Sequence, residues 1–383
     1  MKAVILAAGK GERLEPLTDY LPKALLPIGN KPIIEHQIEV LRRLGADEIA
    51  VVVGYLKEKI VEKLGSDVKY FEDRLIKGTA TALLAAKNFI DDNFILLYGD
   101  VFFDANLSKI IGSAPSMAIY KVKDVSRYGS VEFSEGKLRR ISEKTSSGEG
   151  YVNAGIYYLP PEIVDIAEDI QESPREEYEL TDAIMKLNER KPVRVVPIEG
   201  YWNDIGYPWD YLDANMYYLE KVKCIIIETA EIWPQAIIRK PVIIGDNTTV
   251  KNAMIERSVI GNNCTIGEFS AVKRSVIMNN SNAPHFNYVA DSIIGENVNL
   301  GAGTKIANLR FDEKPVKVTI KGERVSSGRR KLGAIIGHNV KTGINVSIYP
   351  GVKIGSDSWI ESEILVKRDV KRKTFLRKST YNK

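Results

Sequence analysis

Three stretches of this 383-residue sequence carry residue types that could do chemistry. The first is LAAGKGERLEPLTDYLPKALLPI, residues 6–28. An apolar, strand-like run leads straight into Gly9 and Gly11, where bare backbone lets N–H groups approach phosphate oxygens; Arg13 and Lys23 add countercharge. Leu14 stands where a dinucleotide fingerprint needs its third glycine, and no Gly-Lys-Ser/Thr follows, so neither a dinucleotide site nor a P-loop is expected. The second is a pair of aspartates, Asp100 closing the buried run in YGD and Asp204 in WNDIG; each is also an ordinary turn residue. The third is SNAPHFNYVA, residues 281–290. It holds His285, one of three histidines, for which a capping role and a general-base role are both open. His36 lies within a helical run and His338 in a turn-like IGHN, so both read as packing or turn residues.

The elements that must position these groups fall into two kinds. In the first half, AVILAAG (3–9), EIAVVVG (48–54) and FILLYGD (94–100) read as buried strands, while 31–45 and 79–90 have helical spacing. That alternation predicts an α/β, Rossmann-like domain with a largely parallel sheet. The second half keeps a six-residue beat instead: Ile260, Ile266 and Val272; Ile294, Leu300 and Ile306; Ile336, Thr342, Ile348, Ile354 and Ile360. Such a period fits neither an amphipathic helix nor hairpins. It predicts a hexapeptide β-helix with one inward aliphatic per repeat and corners turned by glycine or asparagine in GDN, GNN, GEN and GHN. The beat breaks at 279–290 and 308–331, predicting protruding loops. The expected division is 1–222, 223–366 and a basic tail 367–383.

Composition limits the rest. Hydrophobic content of 44% with 27% charged residues is an ordinary globular balance. No membrane span is expected, and MKAVILAAG reads as a strand rather than a signal peptide. Two cysteines suggest free thiols in the cytoplasm. The net charge of +4 hides a +7 segment at 366–383, which leaves about −3 elsewhere. That segment reads as a solvated end able to attract polyanions, a phosphorylated cofactor among them; no nucleic-acid surface is evident.

Taken in order, G-x-G-x-R-L-x-P-L-T…P-K, KGTATAL, YGD, RYGSV, SEK, YVNAGIYYL, ELTDAI and WNDIG span roughly residues 1–220. The set resembles the sugar-1-phosphate nucleotidylyltransferases, including glucose-1-phosphate thymidylyltransferases and N-acetylglucosamine-1-phosphate uridyltransferases. The resemblance implies transfer of a nucleotidyl group from a nucleoside triphosphate to a sugar 1-phosphate with release of pyrophosphate. It implies Arg13 and Lys23 as catalytic triphosphate contacts, and Ala8, Gly9, Gly11, Gly78 and Thr79 around the nucleotide. Gly129, Glu143 and Asn153 would meet the sugar, Lys144 its phosphate, and Asp100 and Asp204 would hold Mg²⁺. Glu72 stands where pyrimidine-using relatives carry glutamine. An ionised glutamate only accepts hydrogen bonds, so the base is open, with UTP or dTTP favoured through KGTATAL.

The stretch NSNAPHFNYVADSIIGENVNLGAGTKIANLR (280–310) resembles the acetyltransferase region of the bifunctional enzymes that make UDP-N-acetylglucosamine. This implies a left-handed parallel β-helix, a homotrimer and acetyl-CoA as co-substrate. His285 would be the general base for an amino sugar 1-phosphate. Lys273, Tyr288, Asn299, Asn308, Lys314 and Lys317 would contact substrate, with Arg257 in IERS as the candidate phosphate contact. Two alternatives stand beside this expectation: a nucleotidyltransferase with a scaffold β-helix, and a non-catalytic sugar-phosphate-binding regulatory subunit.

Overall fold

The computed structural model describes residues 1–112, 115–143 and 147–378. The chain forms two compact units. One comprises Met1–Lys10, Pro22–Leu25 and Ile33–Asp204; the other comprises Gly11–Leu21, Leu26–Pro32 and Ile205–Lys383. Among the described residues no helix is long and apolar enough to cross a membrane.

The first unit is built on a nine-stranded sheet. From one edge its strands are Lys69–Glu72, Glu48–Val53, Lys2–Ala7, Phe94–Tyr98, Gly150–Leu159, Ser116–Val122, Arg194–Pro197, Lys137–Glu143 and Gly129–Ser134. The first four are parallel; the inner three are almost wholly apolar, as strands covered on both faces must be, while the edge strand Lys69–Glu72 is half polar. The other half departs from the expected parallel sheet, because Gly150–Leu159 runs antiparallel to both its neighbours. At the far edge Gly129–Ser134 and Lys137–Glu143 form a hairpin, closed by the two-residue turn Glu135–Gly136 with positive φ at both positions (54° and 71°). The helix Ile33–Arg43 buries Ile33, Ile34, Gln37 and Leu41 on one stripe and gives way to Gly45 at φ 87°.

The second unit is a left-handed β-helix whose coils stack as parallel strands. The six-residue beat is its inner wall: Ile260, Ile294, Ile336 and Ile354 are all at most 1% exposed. Thr342, the polar member, is satisfied inside by Thr304 Oγ1 at 2.8 Å and by the Gly301 N–H. Asn247, Asn263, Asn297 and Asn339 take left-handed backbone (φ 50–58°) at the corners, as the GDN-type motifs predict. Before the insertion, hydrogen bonds join residues 17 apart in successive coils; after it the interval is 18.

Two expectations change. Residues 281–290 do not protrude: Asn282–Ala283 and Tyr288–Ala290 are ordinary rungs, paired with Thr265–Ile266 and Ala271–Lys273. The beat only looked broken because those coils are a residue short. The true interruption is a hairpin, Lys317–Ile320 with Glu323–Ser326. The basic segment is also not wholly a free tail, since Phe375–Leu376 pairs with Trp359–Ile360 and adds another rung.

Candidate functional sites

In the first unit the two aspartates converge through strand pairing. Val101–Asp104 and Tyr201–Asp204 run antiparallel, with Asp204 opposite Val101, so Asp100 and Asp204 are brought to one end of the ribbon. The YGD turn is pinned from behind by the buried Gln37, whose amide donates to the carbonyls of Tyr98 (2.8 Å) and Val101 (2.7 Å). Lys23 closes the group: its Nζ lies 2.6 Å from Asp100 Oδ2 and 3.6 Å from Asp204 Oδ1. The Asp204 Oδ1 atom is buried and accepts no hydrogen bond. Two hard carboxylates, one with an orphaned buried oxygen, form a donor set that fits a divalent cation shared with phosphate oxygens.

The KGT turn is equally built. Asp73 is 4% exposed; its Oδ1 accepts from the N–H groups of Leu75 and Ile76, and its Oδ2 from Thr81. The ELTDAI segment clamps the turn: Tyr178 N–H donates to Lys77 O, Ala80 N–H to Tyr178 O, and Leu180 N–H to Thr79 Oγ1. Thr79 therefore keeps its hydroxyl proton and a second lone pair for another partner. Gly78 has φ 117°, and a Cβ there would collide with the Tyr178 carbonyl oxygen. Gly78→Ala is expected to cost about 2–4 kcal/mol. That lowers the thermal transition by roughly 5–15 °C, measurable by calorimetry. Glu72 ends an edge strand with its carboxylate held by Lys57 at 2.8 Å and Arg74 at 3.6 Å. The hydrogen bond from Lys57, opposed by desolvation, keeps its carboxyl below the ordinary value.

Asn153 lies at the irregularity of Gly150–Leu159, donating to Tyr157 Oη at 2.6 Å and accepting from Gly155 N–H. Gly129 opens the edge strand and pairs in register with Glu143, while Lys144 lies outside the described residues. Ala8 is buried and its carbonyl accepts from Tyr55 N–H, while Gly9 is exposed. Gly11 and Arg13 belong to the second unit. Gly11 takes φ 66° ahead of a short 3₁₀ turn, and the Arg13 guanidinium lies 4.9 Å over the Tyr207 ring.

In the second unit His285 sits at a coil corner, half exposed, with Nδ1 3.0 Å from Glu268 Oε2. Tyr288 begins the adjoining face, between Ala271 and Lys305. Asn299 lies one coil on from Asn282, whose strand leads into the His285 corner. The far edge of the same face carries a column at 17-residue intervals. There Arg274 grips Asp291 with two bonds (2.7 and 2.8 Å), and Asn308 donates to the same carboxylate. Arg257 is the column's earlier member, paired with Glu220 at 2.7 Å, and Lys273 lies 3.9 Å from Glu256. Lys314 and Lys317 lie in the insertion, Lys317 opening its hairpin.

Beside that hairpin is a cavity of about 710 Å³, with Ala307 and Leu309 flanking Asn308 in its wall and Arg310, Arg324, Lys367 and Arg368 among its lining. Sequence reading missed these four cations individually, although both the broken beat and the basic segment pointed to the region. It also missed Glu268 and Gln37, which carry no local signature.

The sequence model of the nucleotidyl transferase family matches residues 2–221, and that of the GMPPB C-terminal domain matches residues 250–332. The chain is 42% identical to the bifunctional protein GlmU of Methanocaldococcus jannaschii, covering 99% of this chain and 98% of that one. It is 43% identical to a bifunctional sugar-1-phosphate nucleotidylyltransferase/acetyltransferase of Sulfurisphaera tokodaii, covering 97% of this chain and 98% of the relative. A solved structure described as a glucose-1-phosphate thymidylyltransferase from Bacillus anthracis is 26% identical with a TM-score of 0.53, covering 57% of this chain and 94% of that one.

Proposed function

Because the chain belongs to the nucleotidyl transferase family and matches bifunctional relatives end to end, we propose that it catalyses two steps on sugar phosphates. Residues 1–222 carry nucleotidyl transfer and 223–366 carry acetyl transfer. The observation that carries the first assignment is the Lys23–Asp100–Asp204 cluster with its orphaned buried oxygen.

In the first step an oxygen of the sugar 1-phosphate attacks the α-phosphorus of the triphosphate in line. A new P–O bond forms, the α–β anhydride bond breaks, and its electron pair leaves with pyrophosphate. Two anions must meet, so the work is neutralisation and alignment. Arg13 and Lys23 supply fixed positive charge, the backbone at Gly9 and Gly11 receives phosphate oxygens, and Gly78 and Thr79 sit against the base. Gly129, Glu143, Lys144 and Asn153 position the sugar phosphate. Asp100 and Asp204 would hold Mg²⁺, which when bound adds neutralising charge between the phosphates. Glu72, already committed to Lys57 and Arg74, is not drawn towards the base, which leaves UTP or dTTP favoured.

In the second step the amine nitrogen of an amino sugar 1-phosphate attacks the acetyl carbonyl of acetyl-CoA. The C–N bond forms, the C–S bond breaks with its electron pair leaving on the coenzyme A sulfur, and the amine's proton passes to His285, which returns it to that thiolate. Glu268 Oε2 lies 3.0 Å from Nδ1 without an aligned hydrogen bond, so its carboxylate acts on the ring by charge, with Nε2 as the base. Tyr288, Asn299, Asn308 and Lys273 line the acceptor side, Arg257, Lys314 and Lys317 supply charge for the acceptor's phosphate, and the basic cavity takes the phosphorylated donor. The two free thiols suit cytoplasmic chemistry. The exposed, stacked Phe269 and Phe286, with centroids 5.3 Å apart, suit burial in a homotrimer.

The test is a panel of nucleoside triphosphates crossed with sugar 1-phosphates, read by pyrophosphate release, beside thiol release from acetyl-CoA with glucosamine and galactosamine 1-phosphates. UTP or dTTP is expected to lead. No thiol release from either amino sugar phosphate would reduce the β-helix to a scaffold.

A further inference from the structure

The loop that carries Arg13 is packed on the β-helix. Residues Gly11–Leu21 belong to the second unit, where Lys321 of the inserted hairpin pairs with Glu12 at 2.7 Å and a corner of the late coils meets Pro16, Leu17, Asp19 and Tyr20. His338 is 2% exposed there. Its Nδ1 accepts the Glu296 N–H at 3.1 Å, which leaves the ring proton on Nε2, 2.7 Å from the carbonyl oxygen of Leu17. Both ring nitrogens are thus used, one by the helix wall and one by the loop. One coil on, Asp357 receives the Tyr20 hydroxyl at 2.6 Å and the Asn339 amide at 2.9 Å. The Arg372 guanidinium lies 4.5 Å over the Tyr20 ring. Leu14 and Leu17 are fully buried, so the loop is seated by apolar contact as well.

This is more than a turn residue needs. A corner histidine that only capped its own coil would have no call on a carbonyl 321 residues away. We propose that the His338–Asp357 corner is a positioning device for nucleotidyl transfer: it fixes the conformation of the 11–21 loop that carries Arg13. The β-helix then serves the nucleotidyl step as well as the acetyl step. The inference rests on the role given above to Arg13. Positioning matters here because a displacement of about 1 Å at a phosphate contact is enough to cost on the order of a hundredfold in rate.

The full-length protein carrying His338→Ala, Tyr20→Phe or both is compared with wild type. KM for UTP with N-acetylglucosamine 1-phosphate is expected to rise about tenfold in His338→Ala and further in the double variant. Thiol release from acetyl-CoA should stay at the wild-type value in all the variants, and the thermal transition should stay within a few degrees of wild type in Tyr20→Phe. Amide hydrogen exchange should speed up within residues 11–21 ahead of the rest of the chain. His338→Gln, which returns an N–H donor near Leu17 O, is expected to recover most of the loss. An unchanged KM in a double variant whose loop exchange has accelerated overturns the proposal. So does a fall in both activities that tracks a lowered thermal transition, since that is a stability effect alone. If His338→Ala does not fold, Tyr20→Phe, which deletes one surface hydroxyl, decides by the same readouts. Failure of the underlying reading looks different: Arg13→Ala would then leave KM for UTP unchanged.

Discussion

Asp100→Asn is expected to slow pyrophosphate release roughly 100- to 1,000-fold. The argument starts from charge. Asp100 lies 2.6 Å from Lys23 at the open end of a two-stranded ribbon, and Asp204 is brought beside it by the register Asp204–Val101. Asparagine keeps the shape and the turn but removes one of two anionic donors, so the cation site weakens and Lys23 loses the partner that fixes its ammonium. The fold should survive, because the Gln37 bonds that pin the turn go to the main chain rather than to the Asp100 side chain. Raising the Mg²⁺ concentration should restore part of the rate, as expected when affinity for the ion has been lost. A rate within twofold of wild type at low Mg²⁺ would rule out the metal assignment.

His285→Ala should slow thiol release from acetyl-CoA by about 10²–10⁴-fold and leave pyrophosphate release intact. Its ring is half exposed at a corner, so truncation leaves no cavity and uncovers no core. Stability is therefore not at issue. Glu268→Gln is the informative companion. The carboxylate is held below its ordinary value chiefly by its own backbone N–H, with Lys251 and His285 adding to the effect, so it is anionic at neutral pH. Glutamine keeps the shape but removes the negative charge beside Nδ1, so it stabilises the charged imidazolium less. A loss of roughly 10- to 100-fold is expected, smaller than that of His285→Ala. Simultaneous loss of both activities in His285→Ala would contradict the division of labour between the two units.

Much of this architecture was legible in the sequence. The parallel strands carrying Leu6 and Leu97 announce themselves as unbroken apolar runs, because a strand covered on both faces has no polar side to show. The β-helix was legible for the opposite reason: each coil repeats the same local problem, so Ile260, Ile294 and Ile336 recur in step. Legibility failed where a structure depends on partners distant in the chain. Gln37 sits in an ordinary amphipathic helix, and its bonds to Tyr98 and Val101 have no local mark. Glu268 reaches His285 only because those coils are 17 residues long. The same short coil made 281–290 look like a loop, since a period read as six throughout drifts out of register. His338 was read correctly as a corner residue, but its second bond, to Leu17, depends on chain from the other end of the sequence.

That last contact also has a consequence in time. The loop at residues 11–21 is among the first parts of the chain to be made, yet its seat is built from His338, Asp357 and Arg372, up to 352 residues later (Tyr20 to Arg372). At ordinary translation speeds of about 5–20 residues per second, the loop waits for roughly 15–70 seconds before its seat exists. Closing so long an interval makes it one of the last steps of maturation rather than one of the first. A nascent or interrupted chain would thus carry its phosphate-binding residues without the surface that orders them, and nucleotide binding would become a mark of completed synthesis.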